Sequence, residues 1–492
     1  MSEDAVVIGG GLGGISAAVS LAADGFDVRL VEKNGHLGGK LNLLEKDGFS
    51  FDLGPSILTL PHIFRSLFNR AGADLDEHVD LRELDLQWRS FFEDGTCIDL
   101  YNEIERTREE NAYVTDEHVR QMESFLDYSG DIYEVTEQGY FSAGLDTLWD
   151  FVWHYSPFSI MSFDYFSTVD QGVRRHIKDE KLADIFNFFI KYVGSSPYDA
   201  PAMLNLLPYV QQEYGLWYVD GGLYNLARGL RELLDIAGVE VHLNTEVKQL
   251  NLENETARGV TLDDGSTMEA TYVVSNMEVI PLYDHLVDRD VPGMSSYRDW
   301  YEPSCSGLVM HLGLDRTYDQ LDHHNFFFSN DPKDHFNSVF QDYKLPYDPT
   351  IYVVAPAQTD PSVSPEGCEN LKILPHIPHM DEDGDFSEEA YDQFEDRILT
   401  KLERMGLENL RDHIIVEETL YPHDIQQMYY SNKGAIYGVV SDQSNSALKA
   451  PKESEYFDRL YFTGGSVNPG PGMPMVTLCG QLVADQISED AS

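Results

Sequence analysis

Glycines near the start of the chain have the spacing of a phosphate-binding turn. Gly9, Gly11 and Gly14 form a G-x-G-x-x-G pattern that also contains Gly13. Such glycines let backbone N–H groups approach a pyrophosphate at the positive end of a helix. Glu32 lies 23 residues after Gly9, the spacing of a carboxylate that hydrogen-bonds a ribose hydroxyl. The pattern alone is a weak signal, so its interpretation depends on the surrounding elements.

Those elements are predicted to be a strand, a helix and a second strand. Residues 5–8 (AVVI) are apolar on both faces, as in a buried parallel strand. Residues 15–23 form a helix of small residues, and residues 27–32 form the next strand. Strand, glycine turn, helix and spaced acid together predict a dinucleotide-binding domain of Rossmann type.

The end of the chain favours FAD over NAD as the dinucleotide. Residues 460–466 (LYFTGGS) predict a strand running into a glycine turn, and residues 470–476 (GPGMPMV) open a final helix. Such a return can hold a ribityl chain and point a helix N-terminus at a flavin, whose anionic reduced ring the helix dipole stabilises. A simple NAD dehydrogenase needs no such return. The predicted cofactor is therefore FAD, and no His or Cys lies in an evident flavin-linking motif.

Over nearly its whole length the chain resembles the FAD-dependent carotenoid desaturase family, of the bacterial phytoene desaturase type. Within it, the chain looks most similar to the branch of the 4,4′-diaponeurosporene oxygenases, which oxidise terminal methyl groups of an acyclic carotenoid. The blocks that carry this resemblance are residues 87–92 (QWRSFF), 192–196 (YVGSS), 275–281 (SNMEVIP), 323–328 (HHNFFF), 374–379 (LPHIPH), 434–440 (GAIYGVV) and 470–477 (GPGMPMVT).

The resemblance implies an FAD-dependent oxidoreductase of carotenoid biosynthesis. It would act on a long acyclic polyene, by desaturation with hydride transfer from an allylic C–H to the flavin or by terminal-methyl oxidation. Alternatives are a flavin oxidase of similar build acting on amines or protoporphyrinogen, and a non-catalytic FAD-bearing protein. A hydrocarbon has no polar group that the protein could bind, so its alignment in an apolar tunnel is expected to supply most of the catalysis. No catalytic residue is therefore nominated.

The predicted cofactor-binding residues combine the glycine motif with positions matched by resemblance. They are Gly9, Gly11, Gly13, Gly14, Glu32, Lys33, Gly38, Gly39, Lys40, Gly54, Pro55, Ser56, Val247, Gly465, Gly472, Met473, Pro474, Met475 and Val476. Lys40 stands where many relatives have arginine. Lysine keeps the positive charge but lacks the planar, two-pronged hydrogen-bonding group of arginine. Ser466 stands where other flavoproteins bind the ribityl chain through aspartate, so that contact is unassigned.

The predicted fold is α/β, with an amine-oxidase-like architecture. A discontinuous Rossmann-type FAD-binding domain takes residues 1–75, 215–290 and 451–492. An inserted substrate-binding, membrane-facing domain of mixed sheet plus helices takes residues 76–214 and 291–450. The sequence indicates no oligomeric state.

The amino-acid composition limits which partners the protein can bind and indicates its cellular compartment. Of 492 residues, 85 are acidic and 34 basic, giving a net charge of −51. This excess excludes nucleic acid, whose phosphates need a basic face. Spread along the chain, with only 14 lysines, it predicts a halophilic protein kept in solution by hydrated carboxylates. Four dispersed cysteines, an acidic N-terminus and no transmembrane-length apolar run predict a cytoplasmic protein.

An aromatic segment, residues 140–166, contains ten aromatic side chains. It predicts either a membrane-contacting patch at the mouth of a polyene tunnel or an ordinary pair of core helices, with about equal support. The patch would make the protein a peripheral membrane protein. Its densest candidates are Trp149, Phe151, Trp153, Tyr155 and Phe158.

Histidines raise the question of a metal. His323 and His324 are adjacent and so should face opposite sides of a strand, while Pro378 separates His376 from His379. Neither pair provides two histidines and a carboxylate on one face. No metal site is predicted.

Overall fold

The computed structural model describes residues 3–141, 145–146, 155, 163–381, 384–442 and 448–491. Its first sheet has five parallel strands. Their order across the sheet is β20 (Leu460–Phe462), β13 (Tyr272–Ser275), β1 (Asp4–Ile8), β2 (Asp27–Val31) and β9 (Glu240–His242). The central strand β1 is buried apart from its first residue, which explains its unbroken apolar sequence.

A second, larger sheet is mixed. Its order is β19 (Ile414–Leu420), β15 (Val309–Leu314), β18 (Glu369–Ile377), β17 (Ile351–Val354), β16 (His324–Phe327), β6 (Leu86–Phe91) and β7 (Cys97–Tyr101), with β14 (Ser306–Gly307) paired to β18. Only β16 and β6 run parallel, and the other neighbours are antiparallel. All of these strands come from the two segments predicted to form the substrate domain.

Smaller sheets accompany the two large ones. Strands β10 (Val247–Glu253), β11 (Thr256–Leu262) and β12 (Thr267–Glu269) form an antiparallel sheet; hairpin β3 (Leu43–Lys46) and β4 (Phe49–Asp52) and the pair β5 (Leu81–Glu83) and β8 (Trp217–Val219) are separate. The β5–β8 pair joins residues that the sequence analysis assigned to different domains. Phe49 and Phe51 of the hairpin pack against Val416 of the mixed sheet, so residues of the predicted first domain also contribute to the second.

The helices pack on these sheets. Their bounds are α1 Leu12–Ala23, α2 Pro61–Arg70, α3 Ile104–Glu110, α4 Asp116–Thr136, α5 Val169–His176, α6 Glu180–Asn187, α7 Leu206–Tyr214, α8 Tyr224–Ala237, α9 Val279–Leu286, α10 Met294–Trp300, α11 Pro332–Phe340, α12 Glu388–Arg404, α13 Pro422–Tyr429 and α14 Met473–Asp490. Helix α1 packs against the C-terminal helix α14: a Cβ at Gly480 would lie 2.4 Å from the Gly13 carbonyl oxygen. This contact brings the two ends of the chain together at one site.

Helix α1 begins three residues earlier than predicted, at Leu12, because Gly11 caps it directly after β1. Within the described ranges, we find no helix with the length and apolar character needed to span a bilayer.

Candidate active site

The glycine turn after β1 has no room for side chains. Gly9 has φ +93° and donates its N–H to the Val31 carbonyl at 2.8 Å. A Cβ at Gly11 would lie 2.4 Å from Asn276 Oδ1, and one at Gly14 would lie 2.1 Å from the Gly9 carbonyl oxygen. The N-terminus of α1 is therefore bare backbone, the arrangement that binds a pyrophosphate.

Glu32 lies beside this turn at the end of β2. Its side chain is buried, Oε2 accepts the N–H of Gly10 at 2.7 Å, and Oε1 accepts the N–H of Asn34 at 2.8 Å. These two bonds fix the carboxylate without using all of its lone pairs. The remaining acceptor sites face a cavity, where a ribose hydroxyl could donate to them.

That cavity, which we call the cofactor cavity, has a volume of about 490 Å³ and extends from the glycine turn to the start of α14. The predicted residues that line it are Gly9, Gly11, Gly13, Glu32, Lys33, Gly38, Gly39, Lys40, Gly54, Pro55, Ser56, Val247, Gly465, Gly472, Met473 and Val476. Gly14, Pro474 and Met475 do not line it. Gly14 packs against the Gly9 carbonyl, and Pro474 and Met475 line a second cavity.

Lys40, which follows Gly38 and Gly39, has a carboxylate partner. Lys40 Nζ lies 3.3 Å from Glu278 Oε1 and donates to the carbonyl of Ala435 at 3.1 Å. Glu278 follows β13, and Asn276 at the end of the same strand also lines the cavity. Sequence reasoning missed both residues, although ligands of parallel sheets bind at the carboxyl ends of the strands, which is the signal that could have found them.

Ser466 does not line the cofactor cavity. It is buried, and its Oγ accepts the N–H of Val279, the first residue of α9, at 3.3 Å. Its role in the structure is to hold this helix against the turn after β20.

The far end of the cofactor cavity contains buried lysines that were not predicted. Lys372 on β18 donates to Ser56 Oγ at 2.9 Å and to the Gly54 carbonyl. Burial lowers the pKa of Lys372 to about 8, and the Asp52 carboxylate opposes this shift. Asp52 in turn accepts the N–H groups of Leu223 and Tyr224 at the start of α8. This network fixes the loop that contains Gly54 and Ser56.

Lys191 lies in a short 3₁₀ turn after α6 and also lines this end of the cavity. Its Nζ is 3.8 Å from the ring centre of Tyr352 and 4.5 Å from that of Phe326. Burial lowers the pKa of Lys191 well below the usual lysine value, and repulsion from Lys372 adds to the effect. This environment therefore favours the neutral amine over the ammonium.

A second cavity, which we call the apolar cavity, has a volume of about 520 Å³. It shares the lining residues Ile57, Tyr192, Pro471, Gly472 and Met473 with the cofactor cavity. Its described lining contains no Asp or Glu. Apart from Lys449, that lining is uncharged and mostly aliphatic or aromatic, so this space suits a long apolar ligand.

Lys449 is held by the protein rather than offered to a ligand. Its Nζ donates to Ser441 Oγ at 2.5 Å and to the Val439 carbonyl. Burial lowers the pKa of Lys449 to about 7, opposed by Asp442.

The aromatic segment is described only in part. Tyr155 is buried, packs edge-to-face on Phe163 at 4.9 Å and donates to the Val135 carbonyl. Of the two alternatives predicted for the aromatic segment, Tyr155 fits the core alternative and not the membrane contact, because its ring fills a small core cluster. Phe166 is 93 % exposed, and its neighbour Tyr165 lines the apolar cavity. The other candidates lie outside the described residues: Trp149, Phe151, Trp153 and Phe158.

The adjacent histidines do not face opposite sides of a strand. Strand β16 begins at His324, so strand alternation does not apply to His323, and the two ring centres are 4.4 Å apart. Both rings are buried. His323 pairs with Thr359 Oγ1 and His324 with the Tyr352 hydroxyl, each at 2.8 Å. In the part of the chain that the structure describes, no cluster of His, Cys, Asp and Glu could hold a metal ion.

The residues of the cofactor cavity fit FAD. The bare glycine turn suits a pyrophosphate, and Glu32 presents acceptors to a ribose. Gly472, with φ +104°, is the N-cap of α14 beside the far end of the cavity, which we call the reaction end. A helix N-terminus there would stabilise negative charge on a reduced flavin ring.

Comparison with known proteins agrees with this assignment. The model of the family "Flavin containing amine oxidoreductase" matches residues 12–488. A 4,4′-diapolycopene oxygenase of Methylomonas sp is 53% identical over 491 residues, covering 99% of each chain. A 4,4′-diaponeurosporene oxygenase of Staphylococcus haemolyticus is 52% identical over 485 residues, covering 98% of this chain and 96% of that one.

Solved structures share the fold at low sequence identity. Putrescine oxidase bound to putrescine superposes with a TM-score of 0.64 at 16% identity, covering 100% of this chain and 99% of that one. Cyclohexylamine oxidase from Brevibacterium oxydans superposes with a TM-score of 0.61 at 15% identity, covering 100% of each chain. The predicted amine-oxidase-like architecture is confirmed. The chain belongs to the flavin-containing amine oxidoreductase family and is an FAD-dependent oxidoreductase.

Proposed function

We propose that the protein oxidises a long acyclic carotenoid at its chain end. When bound, FAD supplies the hydride acceptor for this chemistry. The observation that carries the proposal is the apolar cavity, which meets the cofactor cavity at Tyr192 and Met473. The relatives of about half identical sequence, named for oxygenation of 4,4′-diapolycopene and 4,4′-diaponeurosporene, support the substrate class.

The apolar cavity would hold the polyene by shape. Leu204, Leu207, Val210 and Met203 line one side of it, and they offer dispersion contacts but no hydrogen bonds. For a hydrocarbon, alignment of the reacting carbon is the main catalytic contribution available to the protein. A cavity that ends at the cofactor would present the end of a chain to the oxidant.

Terminal oxidation is favoured over desaturation by the polar group at the reaction end. Lys191 buries an amine there, and burying a polar group costs free energy unless it is satisfied. A substrate that only gains double bonds could not form a hydrogen bond with this amine. A substrate that gains an oxygen atom at its chain end could form one.

Expression in a pigment-free host tests the proposal. The gene should be introduced into one strain that makes 4,4′-diaponeurosporene and another that makes phytoene, with product analysis by chromatography and mass spectrometry. We expect oxygen-containing products in the first strain. Desaturation of phytoene without oxygenated product would instead support the desaturase alternative. Turnover of amines by the purified holoprotein, without carotenoid turnover, would overturn the proposal.

We also propose that the protein takes its substrate from a membrane at the rim of the apolar cavity. A carotene dissolves only in the bilayer, and a net charge of −51 provides no polybasic anchor. Exposed Phe166 beside the cavity-lining Tyr165 supports an apolar contact at this rim. High salt would screen repulsion from anionic lipid and strengthen apolar contact, so binding should rise with salt.

Liposome flotation tests the membrane contact. Replacement of Trp149 and Trp153 by serine should reduce liposome binding and turnover of liposome-borne carotene, with FAD content unchanged. Trp300→Ser is the matched control, since Trp300 is half exposed on α10, outside the aromatic segment. Equal flotation of wild type and the double variant would show that membrane contact lies elsewhere.

A further inference from the structure

Lys191 lies in a box of aromatic rings that opens into the cofactor cavity. Its Nζ is 3.8 Å from the ring centre of Tyr352, 4.5 Å from Phe326, 5.0 Å from Trp88 and 5.1 Å from Tyr192. Three of these rings come from the neighbouring strands β17, β16 and β6. The rings of Tyr352 and Phe326 stack at 4.8 Å, and those of Phe326 and Trp88 lie 4.6 Å apart. The sheet therefore builds a rigid box around a flexible side chain.

The amine in this box makes no hydrogen bond and no ion pair with any residue in the described ranges. Lys372 and Lys449, the other buried lysines along the two cavities, each donate to a carbonyl and to a serine hydroxyl. The protein satisfies those two amines itself. Lys191 is left with its bonding capacity available to a molecule in the cavity.

The groups that face Lys191 determine its charge. They are the cation Lys372, the imidazoles of His324 and His376, and the phenols of Tyr352 and Tyr192. None is a carboxylate, so nothing holds the lysine permanently protonated. Burial lowers its pKa well below the usual value, while the faces of the surrounding rings stabilise an ammonium once it forms. The surroundings thus favour the neutral amine, and the ring faces let the side chain become a cation.

We propose that Lys191 is a catalytic residue that binds the oxygen of a chain-end alcohol and accepts its proton as the alcohol becomes an aldehyde. This inference rests on the proposed function and names the residue that would serve the oxidation of a chain-end alcohol to the aldehyde. The ligand class is a long apolar chain with one terminal hydroxyl or carbonyl group.

The step balances as an alcohol oxidation. The carbinol C–H bond breaks, its electron pair leaves as hydride for the flavin, and a carbon–oxygen double bond forms. The O–H proton moves to Nζ of Lys191, which becomes an ammonium stabilised by the four rings. That ammonium then donates a hydrogen bond to the aldehyde oxygen until the proton is released.

The first test is spectroscopic and needs no turnover. A linear polyene aldehyde is bound to wild-type holoprotein and to K191M, and its absorption maximum is followed with pH. In the wild type, the band should shift to longer wavelength as pH falls and the ammonium donates to the carbonyl. The band of K191M should not shift. Identical titrations of the two proteins would overturn the assignment.

The second test is kinetic, with a polyene alcohol as substrate. K191M should retain FAD and slow alcohol oxidation by about 10²- to 10⁴-fold, the usual worth of a positioned base. The wild-type rate should fall with acidification, because the neutral amine is the active form, and this dependence should be lost in K191M. K344M makes the same chemical change at an exposed lysine outside the cavities and should behave as wild type.

The outcomes separate this inference from the proposed function. Wild-type holoprotein that oxidises neither hydrocarbon nor alcohol would contradict the proposed function. Wild-type protein that oxidises the alcohol, together with K191M that does so equally fast, would contradict the role of Lys191 alone.

Discussion

The two ends of the cofactor cavity are built in different ways. At the nucleotide end, the glycine turn and Glu32 lie within one short stretch of chain, and backbone atoms make the surface. At the reaction end, Lys191, Tyr352 and Met473 come from distant segments, and side chains make the surface. A site made of backbone tolerates no added atom, whereas a site made of apolar side chains tolerates changes that conserve volume.

The comparison is tested most severely by Gly11→Val. Its side chain would begin 2.4 Å from Asn276 Oδ1 and fill the space that a pyrophosphate needs. We expect complete loss of FAD, measured as the flavin absorbance of purified protein. A variant that retains its flavin would remove the glycine turn from the cofactor site.

Lowering the salt concentration should reversibly weaken the cofactor cavity more than the apolar cavity. Glu32, Glu246 and Glu278 line the cofactor cavity, whereas the described lining of the apolar cavity has no carboxylate. Repulsion within a chain of net charge −51 extends over about 30 Å at about 0.01 M salt and about 3 Å at about 1 M. Dialysis to low salt should release flavin or unfold the protein, with recovery near molar KCl.

Flavin fluorescence and melting temperature measure this effect. A melting temperature that stays flat from about 0.05 M to about 2 M salt would contradict both the expected salt dependence and the prediction that the protein is halophilic.

A milder change at the nucleotide end is Glu32→Ala. The substitution removes the acceptors for Gly10 and Asn34 and those offered to the ribose. FAD affinity should fall by roughly 1.5–3 kcal/mol, about 10- to 150-fold, measured by titration of the apoprotein. Glu45→Ala removes an exposed carboxylate on β3 and is the control. Unchanged affinity in Glu32→Ala would exclude Glu32 from the site.

The smallest effect is expected from Leu207→Trp in the apolar cavity. The larger side chain should exclude part of the polyene and cost about 1–3 kcal/mol of strain, lowering kcat/KM for carotenoid by roughly tenfold. FAD content should not change, because Leu207 lines only the apolar cavity. Leu207→Met conserves volume and should act as wild type. An equal loss of kcat/KM in Leu207→Trp and Leu207→Met would show that the volume of the side chain at this position does not determine carotenoid turnover.

The sequence predicted the nucleotide end of the cofactor cavity better than its reaction end, because the nucleotide end is built from one short stretch of chain and the reaction end from distant segments. Strand β1, the turn and Glu32 are specified by contacts close in sequence, so their types and spacing predicted the Rossmann fold and most residues of the cofactor cavity. The prediction included Pro474 and Met475 because a sequence block does not reveal which way each side chain of a helix points. The sequence left both alternatives open for Tyr155, because an aromatic side chain suits a core cluster as well as a membrane surface.

The sequence by itself determined the dinucleotide domain, the FAD cofactor and the return of the chain end to that domain, because glycine spacing and buried strands constrain the backbone locally. Only the tertiary structure decided the reaction end. Lys191 follows a run of phenylalanines typical of helix core, and nothing near it in sequence marks it as special. Its aromatic box exists because β17, β16 and β6 pair in one register, and that pairing joins segments more than two hundred residues apart.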